Sequence, residues 1–544
     1  MSDSNHDVIV VGAGINGAGI ARDAAMRGLS VLLLDKTDIA AGTTSWSSRL
    51  IHGGLRYLEY AEIGLVRESL RERERLLRVA PHLVHPLPLT IPIYNWHRRG
   101  PWLIRAGMIA YDILSYDKSL PIHHMMSPEQ ALRHEPGLNA EGLTGAARYY
   151  DAQVEFPERV AVENAIDAAA HGAEIRTGAE VVDLIVEAGV VKGVVWRDAD
   201  TGEDHRAFAP VTVNVAGPWV DRVLAELGLS DLPRLIGGTK GSHIVVDPFP
   251  GAPSDALYIE AKQDGRPYFI IPWNGLYLIG TTDIRYDGDL DRIVPTEEEI
   301  RYLIDETNIA IPSATLDRES VLYAYAGLRP LPYQPKGKES GITRRHIVRD
   351  LSPRVEGLLS IVGGKLTTYR NLSEEAVDAV YRKLGRKAPP SKTRKTPFPG
   401  AVGNLERVKR ELGTHGPDWL EPRTRDYLIR VYGTRAEHIV AAADRGGEEL
   451  RRVVDEETGA IGAVVSFAFE QEFARTLTDV VMRRTMVGYG RDAGLQAAEN
   501  IAALGEELGI WTSAEAARQL EAHRAYMSRF LPKALEDSTQ AALA

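Results

Sequence analysis

The stretch from Asp7 to Asp35, DVIVVGAGINGAGIARDAAMRGLSVLLLD, restricts the fold of this chain more than any other. Val8 to Val11 is a short β-branched run of the kind buried on both faces of a parallel sheet. It breaks at Gly12-Ala13-Gly14-Ile15-Asn16-Gly17, a G-x-G-x-x-G spacing. A helix is expected from about Ile15 to Met26, stopped by Arg27-Gly28, and a second strand from Ser30 to Leu34 ends on Asp35. Gly12 permits the tight turn, Gly14 admits a pyrophosphate to the backbone, and Gly17 lets helix and strand approach. The helix N-terminus offers unpaired N–H groups to the anion, and Asp35 can accept from a ribose hydroxyl. This is a dinucleotide-binding βαβ unit, and its glycines do not choose between a flavin and a nicotinamide nucleotide.

The chain has 544 residues, more than one hydrophobic core supports, so two or three domains are expected. The absence of cysteine excludes disulfides, thiolate metal sites and cysteine nucleophiles. The first strand follows a short polar, acidic leader with no room for a signal peptide, and no run approaches the ~20 apolar residues of a spanning helix. A net charge of −11 argues against a general nucleic-acid-binding surface, so no nucleic-acid partner is expected. There is no internal repeat and no second G-x-G-x-x-G.

Beyond Asp35 comes Gly42-Thr43-Thr44-Ser45-Trp46-Ser47-Ser48-Arg49-Leu50-Ile51-His52-Gly53-Gly54-Leu55-Arg56-Tyr57-Leu58. The hydroxyls of Thr43, Thr44, Ser45, Ser47 and Ser48 are expected at a loop-to-helix junction, donating to phosphate and capping the next helix. His52 and Arg56 flank paired glycines, where backbone admits a planar ring or a substrate. GINGAGIARDAAMRGLSVLLLDK and GTTSWSSRLIHGGLRYLE together resemble the FAD-dependent glycerol-3-phosphate dehydrogenases, respiratory flavoproteins akin to the D-amino-acid and glycine oxidases. The resemblance implies a glutathione-reductase-type FAD-binding fold from residues 1–80, 150–230 and 340–385. An antiparallel-sheet substrate domain would occupy 81–149 and 231–339. A linker over 386–400 would lead to a C-terminal all-helical domain over 401–544.

Glu62 to Ala80 reads as a charged surface helix with a narrow apolar stripe of Ile63, Val66, Leu70 and Leu77. Leu87 to Tyr116 mixes Tyr94, Trp96 and Trp102 with Arg98, Arg99 and Arg105, a composition suited to a lipid headgroup zone as well as to a buried helix with a basic rim. Glu155-Phe156-Pro157-Glu158-Arg159 departs from the family's pattern and receives no role. Lys240 to Val246 is a strand carrying Lys240 and His243. Tyr268–Trp273 and Leu276–Gly280 flank Asn274-Gly275 as a hairpin, and Thr296-x-x-Glu299 is a capping box. Arg329 precedes a rigid proline. Ile361 to Arg370 gives strand, paired glycines and a helix whose N-terminus favours negative charge nearby. Ala474–Met486 and Gly494–Leu508 read as helices of the last domain, whose plain role is docking or dimer contact.

By resemblance, FAD is held by Gly12, Gly14, Asn16, Gly17, Asp35 and Lys36, and by the hydroxyl run 43–48. The backbone of Val181 meets the adenine, Ala216, Gly217 and Trp219 close under the pyrophosphate, and Gly363, Lys365, Leu366 and Thr367 face the flavin. The site facing the ring is lined by His52, Arg56, Tyr57, His243, Arg329 and Lys365. Oxidising a phosphorylated secondary alcohol needs a cationic clamp and a base. Arg56, Arg329 and Lys365 serve the first, with Lys240 as a fourth candidate, and His52 or His243 the second. The resemblance further implies glycerol 3-phosphate as substrate, a membrane quinone as acceptor, a homodimer, and a cytoplasmic protein held peripherally on the inner face of the cell membrane. An oxygen-using flavin oxidase of glycerol 3-phosphate, amines or 2-hydroxy acids, and an NAD-binding structural protein, are the alternatives.

Overall fold

The computed structural model describes residues 4–336 and 341–530. The opening βαβ unit forms as expected: strand Val8–Val11, helix Ile15–Met26 and strand Val31–Leu34. These strands lie at the centre of a six-stranded sheet in the order 347–350, 358–362, 211–214, 8–11, 31–34, 174–176. All neighbours are parallel except Ile347–Asp350 at one edge. Both faces are covered. Val8, Val10, Val31 and Leu33 meet Ala18, Ala21 and Ala161 of the helical layer, while Ile9, Val11, Leu32 and Leu34 meet Val181, Leu184 and Val194. The latter valines and leucine belong to a four-stranded sheet ordered 4–5, 204–208, 190–198, 179–187.

A ten-stranded sheet stands over this unit. Its main path runs 284–285, 239–246, 276–280, 267–273, 256–260, 84–94, 143–154, 50–51, with 321–329 pairing 239–246 and 124–126 pairing 143–154. Its pairs are antiparallel save Ala256–Glu260 against Val84–Tyr94. The Asn274-Gly275 turn has both residues at positive φ, 52° and 73°, as a type I′ hairpin requires. The Thr296 capping box starts the helix Glu297–Ala310.

Three segments gain detail from the structure, and the first differs from the sequence reading. The helix Ile63–Val79 is not a surface helix: Glu72, Arg73 and Glu74 are buried while Ile63 is exposed, because Glu72 receives the fork of Arg370 and Arg73 pairs with Asp151 at 2.5 Å. The membrane-directed segment 87–116 divides in two. Val84–Tyr94 is a buried strand, Tyr94 stacks on Trp96 at 4.4 Å, and Arg99 is tied to Glu59 and Glu260. Only the helix Pro101–Leu114 with its flanks presents apolar side chains outward. The linker stretch 386–400 is tied to the helix Ile15–Met26: Ser391 bonds Asp23, Arg22 bonds the Thr396 and Pro397 carbonyls, and Phe398 is buried under Arg22.

The C-terminal segment is helical with one small hairpin, Val453–Asp455 with Ala460–Ile461. The helix expected from Ala474 begins at Leu477 and turns into a π-helix over Val480–Arg484. Among the described residues no helix is long and apolar enough to cross a membrane.

Candidate active site

The glycine turn is sterically enforced. A Cβ on Gly17 would lie 1.8 Å from the Gly12 carbonyl oxygen, and one on Gly12, whose φ is 107°, would lie 2.9 Å from the Val215 oxygen. Gly14 caps the helix Ile15–Met26, and the Thr44 hydroxyl accepts from the Ile15 N–H at 3.0 Å. Asp35 anchors the same turn, accepting from Ala13 N at 2.7 Å and Thr37 N at 2.9 Å. Burial nevertheless raises its carboxyl above the ordinary value. The turn after Val211–Asn214 abuts Gly12 through Val215 and Ala216, and Gly217 has φ 57°. Lys36 and Trp219 meet at the rim, both bonded to Asp291, at 2.8 and 3.0 Å. Val181 lies in Ala179–Glu187 on the sheet that covers this side.

The hydroxyl run leads into the short strand Leu50–Ile51, not into a helix, and its side chains tie the loop down. Thr43 donates to the Leu328 carbonyl at 2.7 Å, Ser45 to the Ala40 carbonyl at 2.7 Å, and the Ser47 hydroxyl accepts from Arg49 N at 3.2 Å. Ser48 Oγ is 2.8 Å from His243 Nε2. The loop rests on one face of the large sheet, where three strand glycines clear a floor. A Cβ at Gly327 would meet the Trp46 carbonyl oxygen at 2.1 Å, one at Gly280 the His243 ring at 2.5 Å, and one at Gly241 the Arg329 guanidinium at 2.4 Å. On that floor His243 stacks on Tyr325 at 4.9 Å, and Phe269, across Gly280, turns its ring at 88° to His52.

Charged groups gather beside the floor. Arg329 pairs with Asp283 at 3.2 Å and reaches Thr281 Oγ1 at 3.1 Å, and Arg344 shares the other Asp283 oxygen at 3.4 Å. Gly363 and Gly364 turn at φ 77° and 107° into Lys365, Leu366 and Thr367, with Gly363 packed against the Arg345 main chain. Lys365 Nζ lies 3.7 Å over the Tyr57 ring and 3.3 Å from Ser69 Oγ, and the Thr367 hydroxyl accepts from His52 N at 3.2 Å. Burial pulls the Lys365 ammonium below its ordinary value. Desolvation drives His52 down to about 4, with Lys365 adding to it against Asp151, and drives His243 to about 3, with Arg329 and Arg49 adding. Both imidazoles are neutral near pH 7.

Residues 7–370 match the family model "FAD dependent oxidoreductase". The chain belongs to this family. Residues 391–516 match "C-terminal domain of alpha-glycerophosphate oxidase". The oxidoreductase is 48% identical to a glycerol-3-phosphate dehydrogenase of Synechocystis sp., over 97% of each chain. It is 38% identical to a D-erythritol 1-phosphate dehydrogenase of Brucella abortus, over 88% of this chain and 94% of that one. The glycerol-3-phosphate dehydrogenase from Bacillus halodurans, solved with FAD, superposes with a TM-score of 0.77 at 28% identity, over 97% and 96% of the two chains.

The residues present fit FAD. Gly12 and Gly17 leave no room for a side chain at the head of the helix Ile15–Met26, and among the described residues Asn16 Oδ1 is buried without a hydrogen-bond partner beside Gly364. Lys240 does not join the cations of the site. It is buried, pairs with Glu299 at 2.7 Å and donates to the Val294 carbonyl at 3.0 Å, because Glu299 points into the sheet with Ser242 and Thr282 bonded to it. Arg56 lies in the 3₁₀ turn Leu55–Tyr60, and its side chain lies outside the described residues. Arg344, Asp283 and the three floor glycines escaped sequence reasoning. Glycine inside otherwise strong strands at 241, 280 and 327 was the available signal, since such glycines mark close approach.

Proposed function

We propose that this oxidoreductase converts sn-glycerol 3-phosphate to dihydroxyacetone phosphate and passes the electrons to a membrane quinone. The observation that supports it most is the pair of guanidiniums, Arg329 and Arg344, fixed by one carboxylate beside the glycine floor. A rigid fork suits a phosphate dianion, and holding it there orients the carbinol carbon over the floor. The relatives named above act on polyol phosphates according to their names.

FAD, when bound, supplies the two-electron acceptor. The protein excludes water with the aromatic row Tyr325, Phe269 and Tyr258, and takes up the hydroxyl proton on a neutral imidazole. His52 and His243 are the two candidate bases, and Ser48 fixes Nε2 of His243. Thr281 and Asp283 orient Arg329 rather than react.

The helix Pro101–Leu114 and its flanks expose Trp102 (81%), Leu103, Ile113 and Tyr116 (77%), an apolar face that suits the headgroup layer of the membrane holding the quinone. Trp102→Glu with Ile113→Glu abolishes flotation with anionic vesicles on this reading, and unchanged flotation refutes it.

The decisive test of activity is the visible spectrum. Anaerobic glycerol 3-phosphate bleaches the flavin bands of the purified protein, and separate mixing with a quinone analogue and with oxygen identifies the acceptor. A protein that is not bleached is not this enzyme, and faster reoxidation by oxygen makes it an oxidase. Given the Brucella relative, D-erythritol 1-phosphate is the competing substrate, and the ratio of the two kcat/KM values separates them.

A further inference from the structure

Buried charges that the reaction does not use lie along one seam, between the C-terminal helices and loop 38–49. Asp38, 1% exposed, accepts from Arg484 at 2.6 and 2.9 Å and from Arg483 at 2.5 Å. Both arginines lie in the π-helical turn Val480–Arg484, an irregularity frequent at functional positions. Arg484 also donates to the Glu472 carbonyl at 2.7 Å, and the Glu472 carboxylate takes Arg159 and Arg435. The other end of the loop is tied likewise. The Tyr489 hydroxyl donates to Glu158 at 2.8 Å, and Glu158 receives both arms of Arg49 at 3.1 Å. Arg49 donates to the Ser45 carbonyl and lies between the Trp273 and Tyr489 rings, 4.4 Å from each. Between the two ties, the Phe530 ring packs tilted against Trp46, with centroids 4.5 Å apart.

We propose that Arg483, Arg484 and Tyr489 are positioning residues for the flavin: through Asp38 and the Glu158–Arg49 pair, the C-terminal domain clamps loop 38–49 against the glycine floor and thereby sets FAD affinity. The physical reason is that Asp38 and Arg49 are costly to bury unpaired. The loop therefore reaches its buried position only when the C-terminal domain is docked, and loop order and domain docking become one event. The loop in turn fixes Thr44 at the helix N-terminus and Ser48 on His243. The inference rests on reading this loop as part of the cofactor site.

The test measures FAD dissociation from the full-length holoenzyme by flavin fluorescence, well below the unfolding temperature, with hydrogen exchange of residues 38–49 alongside. Arg484→Gln raises the Kd by about tenfold or more and speeds exchange in the loop, Arg484→Lys recovers part of the loss, and Tyr489→Phe raises the Kd about threefold. Where Arg484→Gln does not fold, Tyr489→Phe decides alone, since it removes one hydroxyl and keeps the ring. A Kd within about twofold of wild type in the folded variants overturns the clamp, even where the unfolding temperature falls. Gly14→Val and Thr44→Val separate the two readings: if they weaken FAD binding while Arg484 and Tyr489 variants do not, only the clamp fails, and if they too leave it unchanged, the cofactor site itself is misplaced.

Discussion

Gly327→Ala tests the glycine floor directly. The position is in a regular strand, so alanine meets no backbone strain, and only space is at issue. Its Cβ would lie 2.1 Å from the Trp46 carbonyl oxygen and 3.1 Å from its carbon, both groups of the loop main chain. A backbone carbonyl cannot swing aside as a side chain can, so the loop must lift by about 1 Å to regain van der Waals distance. Three hydrogen bonds hold it down: Thr43 to Leu328 at 2.7 Å, Tyr325 to Ser47 at 2.9 Å and Ser48 with His243 at 2.8 Å. At about 1 kcal/mol net each, their loss amounts to about 3 kcal/mol, or about two orders of magnitude in an equilibrium or rate constant. The expected result is a large drop in the FAD-to-protein ratio after gel filtration and in kcat/KM with an artificial electron acceptor. Gly64→Ala, at an exposed position in the first turn of the helix Ile63–Val79 with nothing near its Cβ, should leave both unchanged. Full flavin content with kcat/KM within about threefold of wild type would refute the reasoning.

Lys240→Met removes one half of a buried pair and should cost roughly 3 kcal/mol in urea unfolding while leaving the KM for glycerol 3-phosphate within about twofold; a KM raised tenfold or more would return Lys240 to the phosphate grip. Arg329→Lys keeps the charge and loses the fork, and should lower kcat/KM by about a hundredfold, with steady-state kinetics as the check. His523 is held down to about 4 by burial and the Arg483 charge, against an ordinary 6.5. The unfolded chain therefore binds more protons between these values, so its contribution is present above pH 6.5 and is lost as the pH falls toward about 4, by up to roughly 1.4 kcal/mol per pH unit. His523→Gln should flatten the stability profile there relative to wild type, and parallel profiles would contradict it.

The dinucleotide unit could be read from the sequence because its signals are local: an apolar run, glycines at fixed offsets and an acid at the next strand end all lie within thirty residues. The Asn-Gly hairpin and the Thr296 capping box were legible for the same reason. The segment 87–116 left two readings open because rings and cations look alike whether they line a membrane or a sheet, and only pairing with 143–154 shows that Val84–Tyr94 is a sheet strand. Lys240 looked like a phosphate ligand because sequence cannot show Glu299 beneath it. Glu158 and Arg159 looked like departures without a role, yet each meets a partner more than a hundred residues away, Arg49 and Glu472.

The sequence alone determined the opening βαβ unit and its glycine turn, since backbone sterics over a few residues suffice for that. Which cations lie beside the glycine floor, which are consumed in buried pairs, and that the C-terminal helices reach the hydroxyl loop were decided only in three dimensions. A charge takes its role from what stands opposite it after folding, and no local pattern encodes a partner brought near by the rest of the chain.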